Sequence, residues 1–99
     1  MIIFNIVQED EAKAQLMSSF LIKQKYALQT HVDTNVILTQ TGKLQSVRLF
    51  FITKSLLYDI IEEKIKKEFF SADMIIYATP VSYINSEFGD LLRKQLKSA

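Results

Sequence analysis

Three side chains in the middle of the chain have the spacing and chemistry of a binding site: His31, Asp33 and Asn35. They alternate along the sequence, so a strand would place all three on one face. Imidazole and carboxylate groups suit copper and zinc, which makes His31 and Asp33 the candidate metal ligands. Two ligands from one chain do not close a metal site, although a threefold axis would multiply them. The alternative is that His31 is an ordinary polar residue on a half-buried strand.

Arg48 is the cation expected to face these residues. The simpler interpretation is a charge pair with Asp33 across two strands, facing a subunit interface or a wet cavity. The other interpretation is that Arg48 binds an anion. We therefore predict a polar cluster of Asn35, Arg48 and Tyr83 that binds a ligand or lies at an interface.

Composition removes most other kinds of site. The 99 residues have room for one core and are expected to form a single domain, 1–99. No cysteine is present, so disulfides, thiolate nucleophiles and thiolate metal ligands are excluded, and the single histidine rules out an imidazole cluster. A net charge of +1 gives no general attraction to nucleic acid or to acidic membranes. We expect a protein that is not an enzyme and binds neither nucleic acid nor membrane.

The ends of the chain and its apolar runs predict the location. The apolar start, residues 1–7, has no basic residues before it and runs into acidic residues within eight positions, unlike an export signal. No stretch approaches the roughly 18 apolar residues of a membrane span. The expectation is a soluble, cytoplasmic protein.

Hydrophobic periodicity divides the chain into alternating strands and helices. Short runs rich in β-branched residues or with period two predict strands, and apolar residues at spacings of three and four predict helices. Ser55 and Asn85 are suitable N-caps. The predicted order is a strand at 2–7, a helix at 10–24, a strand at 26–40, a strand at 44–53, a helix at 55–70, a strand at 74–78 and a short helix after 85.

The second and third strands are predicted to pair as a hairpin around a two-residue turn at Thr41 and Gly42. That register places Val36 opposite Val47 and sets Arg48 diagonal to Asp33. The hairpin is long, because 14 residues at about 3.3 Å each span about 46 Å, so it must bend or project. A projecting hairpin exposes apolar side chains and needs a partner subunit. The predicted contact residues are Val36, Leu38, Gly42 and Val47.

The order β-α-β-β-α-β with a trailing helix predicts a fold of the ferredoxin-like α+β class. Two helices would cover one face of an antiparallel sheet, with the long second hairpin and an extra C-terminal helix. The acylphosphatases share this fold, but their phosphate-binding loop needs an arginine where this chain has residues 8–11, Gln-Glu-Asp-Glu. Those carboxylates would repel phosphate.

Several segments resemble the CutA family of divalent-cation tolerance proteins. They are residues 6–12 (Ile-Val-Gln-Glu-Asp-Glu-Ala), the turn Gly42-Lys43-Leu44 with the strand ending at Thr53 and Lys54, and residues 80–82 before the last helix. The resemblance implies a compact homotrimer of ferredoxin-like subunits, linked to tolerance or binding of a divalent ion such as copper or zinc. The chain lacks the aromatic residue that the family carries before Gly-Lys, its cysteine, and the Thr-Pro-Glu that precedes its last strand.

The PII-like signalling proteins share the element order and trimeric state, and they are the alternative. A PII-like protein would bind a nucleotide or small metabolite at a subunit interface, using a long loop between the second and third strands. Here that connection is a tight turn. We therefore expect a CutA-like homotrimer with no certain cofactor, whose small ligand or protein partner is unknown.

Overall fold

The chain forms a four-stranded antiparallel sheet, seen in a computed structural model that describes residues 1–98. The strands lie in the order β2-β3-β1-β4, so β1 is central and β2 and β4 are the edges. This is the ferredoxin-like α+β arrangement predicted from the sequence. The elements are β1 (Ile2–Gln8), α1 (Glu11–Lys23), β2 (His31–Thr39), β3 (Gly42–Thr53), a 3-10 turn (Ser55–Leu57), α2 (Tyr58–Phe69), β4 (Ile75–Pro80) and α3 (Ser86–Gln95).

One face of the sheet carries the hydrophobic core, because alternate residues of β1 and β3 point toward α1 and α2. Phe4 stacks on Phe51 with ring centroids 5.3 Å apart, and the Tyr58 ring lies 5.1 Å from Phe4. The other buried apolar members of this core are Ile6, Ala14, Met17, Leu21, Tyr26, Ala27, Val47, Leu49, Leu57, Ile61 and Ile65. We call the opposite face of the sheet the open face.

The predicted strand at 26–40 begins five residues too early. Asp10 caps α1 by accepting a hydrogen bond from the Lys13 N–H at 3.2 Å, and the helix ends where Lys25 adopts a positive φ of 63°. The N–H groups of Tyr26 and Ala27 then donate to the Leu21 carbonyl at 2.9 and 3.3 Å. These bonds hold Tyr26 in the core beside the helix end, so β2 starts only at His31.

The hairpin register is two residues away from the prediction. Its turn residues are Gln40 and Thr41, and Thr39 pairs with Gly42. The Thr39 hydroxyl accepts from the Thr41 N–H at 3.3 Å and donates to the Gly42 carbonyl at 3.1 Å, which holds the turn one residue earlier than Thr-Gly. Gly42 supplies the positive φ of 138° as the first residue of β3. A shift by two keeps every side chain on its predicted face.

Three further predicted features also change, two helix caps and the last strand. Ser55 does not cap α2, because residues 55–57 form the 3-10 turn, in which the Leu57 N–H donates to the Lys54 carbonyl at 3.0 Å. Asn85 precedes α3 but makes no side-chain cap; its amide donates to Glu87 at 3.2 Å. The last strand runs to Pro80 and lies at the sheet edge with Ile75 54% exposed, so it is not buried in the single chain.

The hairpin projects, as its length predicted. The longest dimension of the chain is 45 Å, and all residues from Thr34 to Gln45 are exposed. Val36 and Leu38 are 64% and 73% exposed there. Val47, predicted to lie with them, is instead a core residue at 1% exposure, because it pairs with Gln8 of β1 inside the sheet and packs in the core. No helix within residues 1–98 is long and apolar enough to span a membrane.

Candidate functional site on the open sheet face

One row of side chains crosses the whole open face. The register pairs His31 with Phe50, Phe50 with Asn5 and Asn5 with Tyr77, so one residue comes from each strand in the order β2, β3, β1 and β4. We call these four residues the cross-sheet row. The next row contains Asp33, Arg48, Val7 and Ile75. The candidate site consists of these two rows.

Phe50 organises the polar groups around it. The His31 ring stacks on the Phe50 ring at a centroid distance of 4.9 Å with 17° between the planes. The Arg48 guanidinium lies over the same ring, 4.4 Å from its centroid. Arg48 and Phe50 are two residues apart on β3, so the strand itself brings the cation to the ring. Aromatic stacking and cation–π contacts each contribute on the order of 0.5–1 kcal/mol and fix the orientation of both polar side chains.

Arg48 and Asp33 form an ion pair directly across β3 and β2. The Arg48 Nη2 atom donates to Asp33 Oδ2 at 2.9 Å. This hydrogen bond is the main reason why the pKa of Arg48 is raised; desolvation opposes it, and the Tyr77 hydroxyl raises the pKa further. The sequence predicted this pair as diagonal, whereas the corrected register makes it direct. The guanidinium therefore already has a carboxylate partner, which weakens its interpretation as an anion-binding group.

Two polar atoms beside this pair have no hydrogen-bond partner among the described residues. They are the Oδ1 atom of Asn5 and the Nε atom of Arg48, and both are buried. Asn5 is only 2% exposed, and its amide nitrogen donates to the Ile3 carbonyl at 3.2 Å. A buried polar atom without a partner costs about 1–3 kcal/mol. The centre of the open face is thus incompletely satisfied in a single chain.

The structure separates the predicted cluster of Asn35, Arg48 and Tyr83. Asn35 pairs with Ser46, one row beyond the ion pair, and is exposed. Tyr83 is 94% exposed and follows Val81, whose N–H donates to the Met1 carbonyl. Arg48 pairs with Val7 of β1. Val7 lies six residues beyond Met1 in the chain, which is about 20 Å at 3.3 Å per residue. Tyr83 is therefore at the other end of the sheet.

Tyr77 is the tyrosine that sequence reasoning missed. It ends the cross-sheet row, and its hydroxyl helps to raise the pKa of Arg48. The pairing of β4 with β1 was the missing information. A register for the last strand, tested as the hairpin register was tested, would have placed Tyr77 opposite Asn5.

The described residues of one chain do not fit a closed metal site. His31 and Asp33 share the open face, but the Asp33 carboxylate is engaged by Arg48 at 2.9 Å and the His31 ring is stacked on Phe50. Within residues 1–98, no group of three or more His, Asp or Glu side chains could hold an ion. A structural site for copper or zinc needs more ligands than this.

The sheet order and helix arrangement define a ferredoxin-like α+β protein with a projecting hairpin. No protein-family model and no curated protein matches the sequence. Solved structures do match, and several of them are CutA proteins. CutA1 from Pyrococcus horikoshii has a TM-score of 0.90 at 18% identity, with 99% of this chain and 100% of that chain covered.

Two further structures agree with that match. The divalent cation tolerance protein CutA1 from Thermus thermophilus has a TM-score of 0.77 at 19% identity, covering 98% of this chain and 100% of that one. The periplasmic divalent cation tolerance protein CutA from Archaeoglobus fulgidus has a TM-score of 0.82 at 16% identity, with the same coverage. The predicted resemblance to CutA proteins is confirmed at the level of the fold.

Proposed function

We propose that this chain is a CutA-like, non-enzymatic protein that works as a homotrimer and contributes to tolerance of divalent metal ions. The fold shared with proteins named for divalent cation tolerance supports the proposal. The observation that carries it is the open face, on which large apolar side chains stay exposed in a single chain.

The open face has the character of a subunit interface. Ile37, Leu44 and Ile75 are between 37% and 54% exposed on it, and Asn5 on the same face is buried and incompletely paired. Exposed apolar side chains that lie together are typical of protein–protein contacts. Both sheet edges, β2 and β4, also present backbone groups that another chain can pair with. Self-association would cover this face and both edges.

Sedimentation equilibrium tests the assembly. Each chain has a mass of 11.5 kDa, so three chains give 34.5 kDa. We expect that larger mass at micromolar concentration, because an exposed sheet face of this composition is unfavourable in water. A single 11.5 kDa species over the whole micromolar range would contradict the proposal.

Metal binding at His31 and Asp33 is a separate part of the proposal. One chain supplies too few ligands, so binding of copper or zinc requires these residues from more than one subunit of the trimer. Calorimetric titration with Cu(II) and Zn(II), repeated on His31→Ala, tests it. Loss of binding in the variant supports this site, and unchanged binding places the ion elsewhere.

The PII-like alternative predicts binding of a nucleotide or metabolite. The two-residue turn at Gln40 and Thr41 gives it no loop between β2 and β3. ATP and ADP belong in the same calorimetric series, and micromolar binding of either would favour the PII-like function over the CutA-like one.

We further propose a cytoplasmic location and one folding domain over residues 1–99. The Archaeoglobus fulgidus protein is named periplasmic, so cell fractionation is the relevant test of location. A single cooperative unfolding transition would support the single domain.

A further inference from the structure

Two polar atoms on the open face are closed to solvent and have no hydrogen-bond partner among residues 1–98. They are the Oδ1 atom of Asn5 and the Nε atom of Arg48. The first is an acceptor, and the second carries an N–H donor. Buried polar atoms are paired in nearly all native structures, so these two atoms require a partner. A single group that both donates and accepts would satisfy them together.

The sheet register places the two side chains next to each other. Asn5 of β1 pairs with Phe50 of β3, and Arg48 lies two residues before Phe50 on the same strand. Asn5 and Arg48 are therefore diagonal neighbours on one face, with Cα atoms about 7–8 Å apart. The Arg48 guanidinium lies over the Phe50 ring, 4.4 Å from its centroid, so the side chain bends toward the row that contains Asn5.

The other polar atoms of these two side chains are already engaged. The Asn5 amide nitrogen donates to the Ile3 carbonyl at 3.2 Å, which leaves Oδ1 as the unpaired atom of the amide. On the β2 side, the Arg48 Nη2 atom donates to Asp33 at 2.9 Å. On the β4 side, the Tyr77 hydroxyl helps to raise the pKa of Arg48. Both side chains are held in place while one enclosed atom of each lacks a partner.

The enclosure of the two atoms limits what the partner can be. Asn5 is only 2% exposed, and both atoms are already closed to solvent in a single chain. A side chain of a second copy or a dissolved ligand would first have to displace Arg48 from Phe50. Water is small enough to be enclosed, and one molecule donates and accepts hydrogen bonds at the same time.

We propose that one enclosed water molecule links Asn5 to Arg48 and that Asn5 is a positioning residue for Arg48. The water donates to Asn5 Oδ1 and accepts from the Arg48 Nε–H. With the ion pair, this bridge forms a polar chain across three strands, from Asp33 on β2 through Arg48 on β3 to Asn5 on β1. Asn5 thereby keeps Arg48 over Phe50 and keeps the Asp33 carboxylate engaged. The water site lies within one chain and does not depend on the proposed homotrimer.

NMR of the arginine Nε–H groups tests the proposal, because the full-length chain contains only two arginines, Arg48 and Arg93. Arg93 is the internal control, since its side chain is 59% exposed and pairs with Asp90. We expect a cross-peak between the Arg48 Nε–H and water, of opposite sign in NOE and ROE spectra, which distinguishes a bound water from passing solvent. Exchange of this proton should be at least about tenfold slower than at Arg93. A missing water cross-peak at Arg48, or equal exchange at both arginines, would overturn the proposal.

Substitutions of asparagine separate the role of the acceptor oxygen from that of side-chain volume. Asn5→Leu should abolish the water cross-peak, speed Arg48 Nε–H exchange at least about fivefold, and reduce the ring-current shift that Phe50 gives the Arg48 side chain. Asn5→Asp keeps an acceptor oxygen and should retain all three signals. Asn35→Leu, at an exposed position opposite Ser46 on the same face, is the matched control and should leave Arg48 unchanged.

Circular dichroism checks that each variant folds. Wild-type signals in Asn5→Leu would contradict the positioning role, and equal losses in Asn5→Leu and Asn5→Asp would assign the effect to packing instead of the acceptor. The oligomeric state is measured separately by sedimentation. A monomeric wild type with a water-linked Arg48 would contradict the trimer and support the water bridge, whereas a trimer without the water cross-peak would do the reverse.

Discussion

At the scale of single residues, the ion pair between Asp33 and Arg48 joins β2 to β3 on the open face. Their side chains are 45% and 37% exposed, so solvent screens much of the attraction. We predict a coupling energy of about 0.5–1 kcal/mol from a double-mutant cycle of Asp33→Asn and Arg48→Met. Urea unfolding at one fixed protein concentration measures it, since association also changes stability.

The Asp90 and Arg93 pair within α3 is the matched control, because both side chains are more than half exposed. Its cycle should give at most about 0.5 kcal/mol. A coupling energy for Asp33 and Arg48 no larger than that of the control would mean that the stacking on Phe50 adds nothing to the pair.

Tyr58 provides a prediction for alkaline pH. Burial raises the pKa of its phenol above 10.0, and the hydrogen bond to Glu62 at 2.9 Å raises it further. Because the folded state holds this proton more tightly, the stabilisation is complete below pH 10.0 and is lost as pH rises toward the folded-state pKa. Tyr58→Phe should therefore lose less stability than the wild type above pH 10.0.

Urea unfolding at a series of alkaline pH values measures this difference. Tyr83→Phe is the control, because Tyr83 is 94% exposed, and it should follow the wild-type curve. Parallel curves for the wild type and Tyr58→Phe would contradict the assignment.

At the scale of elements, the hairpin turn depends on one glycine. Gly42 has a φ of 138°, which residues with a side chain rarely adopt, and a Cβ atom there would meet nothing within 4 Å. The cost of Gly42→Ala is therefore conformational, about 1–3 kcal/mol. Thermal unfolding should show the loss, whereas Gln40→Ala in the same turn should stay within about 0.5 kcal/mol of wild type. Equal effects of the two substitutions would contradict this account.

The α2 helix allows a comparison of adjacent isoleucines. Ile61 is fully buried against the sheet, and Ile60 is 38% exposed. Ile61→Ala should cost about 2–5 kcal/mol through the cavity it leaves. Ile60→Ala should cost less than about 1 kcal/mol, since the residue keeps much of its contact with water. Chemical denaturation distinguishes the two, and similar costs would mean that another chain covers Ile60.

The sequence predicted the number, type and order of elements because their periodicities differ sharply. Apolar spacing alone puts Leu56 and Ile60 with Ile61 on the inner side of the helix predicted at 55–70. The helix buries only a narrow stripe, and Leu56, in the 3-10 turn before it, is 80% exposed. The predicted start of β2 was wrong for another reason. The alternation from Tyr26 resembles a strand, while the positive φ of Lys25 and the bonds to Leu21 are tertiary features that periodicity does not contain.

At the scale of the whole molecule, the sheet face of each site residue was predictable and its neighbours were not. Because side chains alternate between the two faces of a strand, the predicted register placed His31, Asp33 and Arg48 on one face. The observed register differs by two residues, which leaves that face unchanged. The row through Asn5 and Tyr77 required the pairing of β1 with β3 and β4, which joins residues more than 40 positions apart. Long-range pairings of this kind depend on the packed sheet, so short-range patterns do not specify them.

The projecting hairpin predicts where assembly can be broken. Leu38 is 73% exposed and Val36 is 64% exposed, both on a segment that its own chain does not cover. If these side chains contact another subunit, Val36→Lys with Leu38→Lys places two ammonium groups in an apolar contact, and the mass should fall from that of the trimer toward 11.5 kDa. Leu56→Lys changes a side chain that is 80% exposed outside the hairpin and should keep the assembly intact. Sedimentation equilibrium compares the two; a trimer that tolerates the hairpin variant would confine the interface to the open face and exclude the hairpin from it.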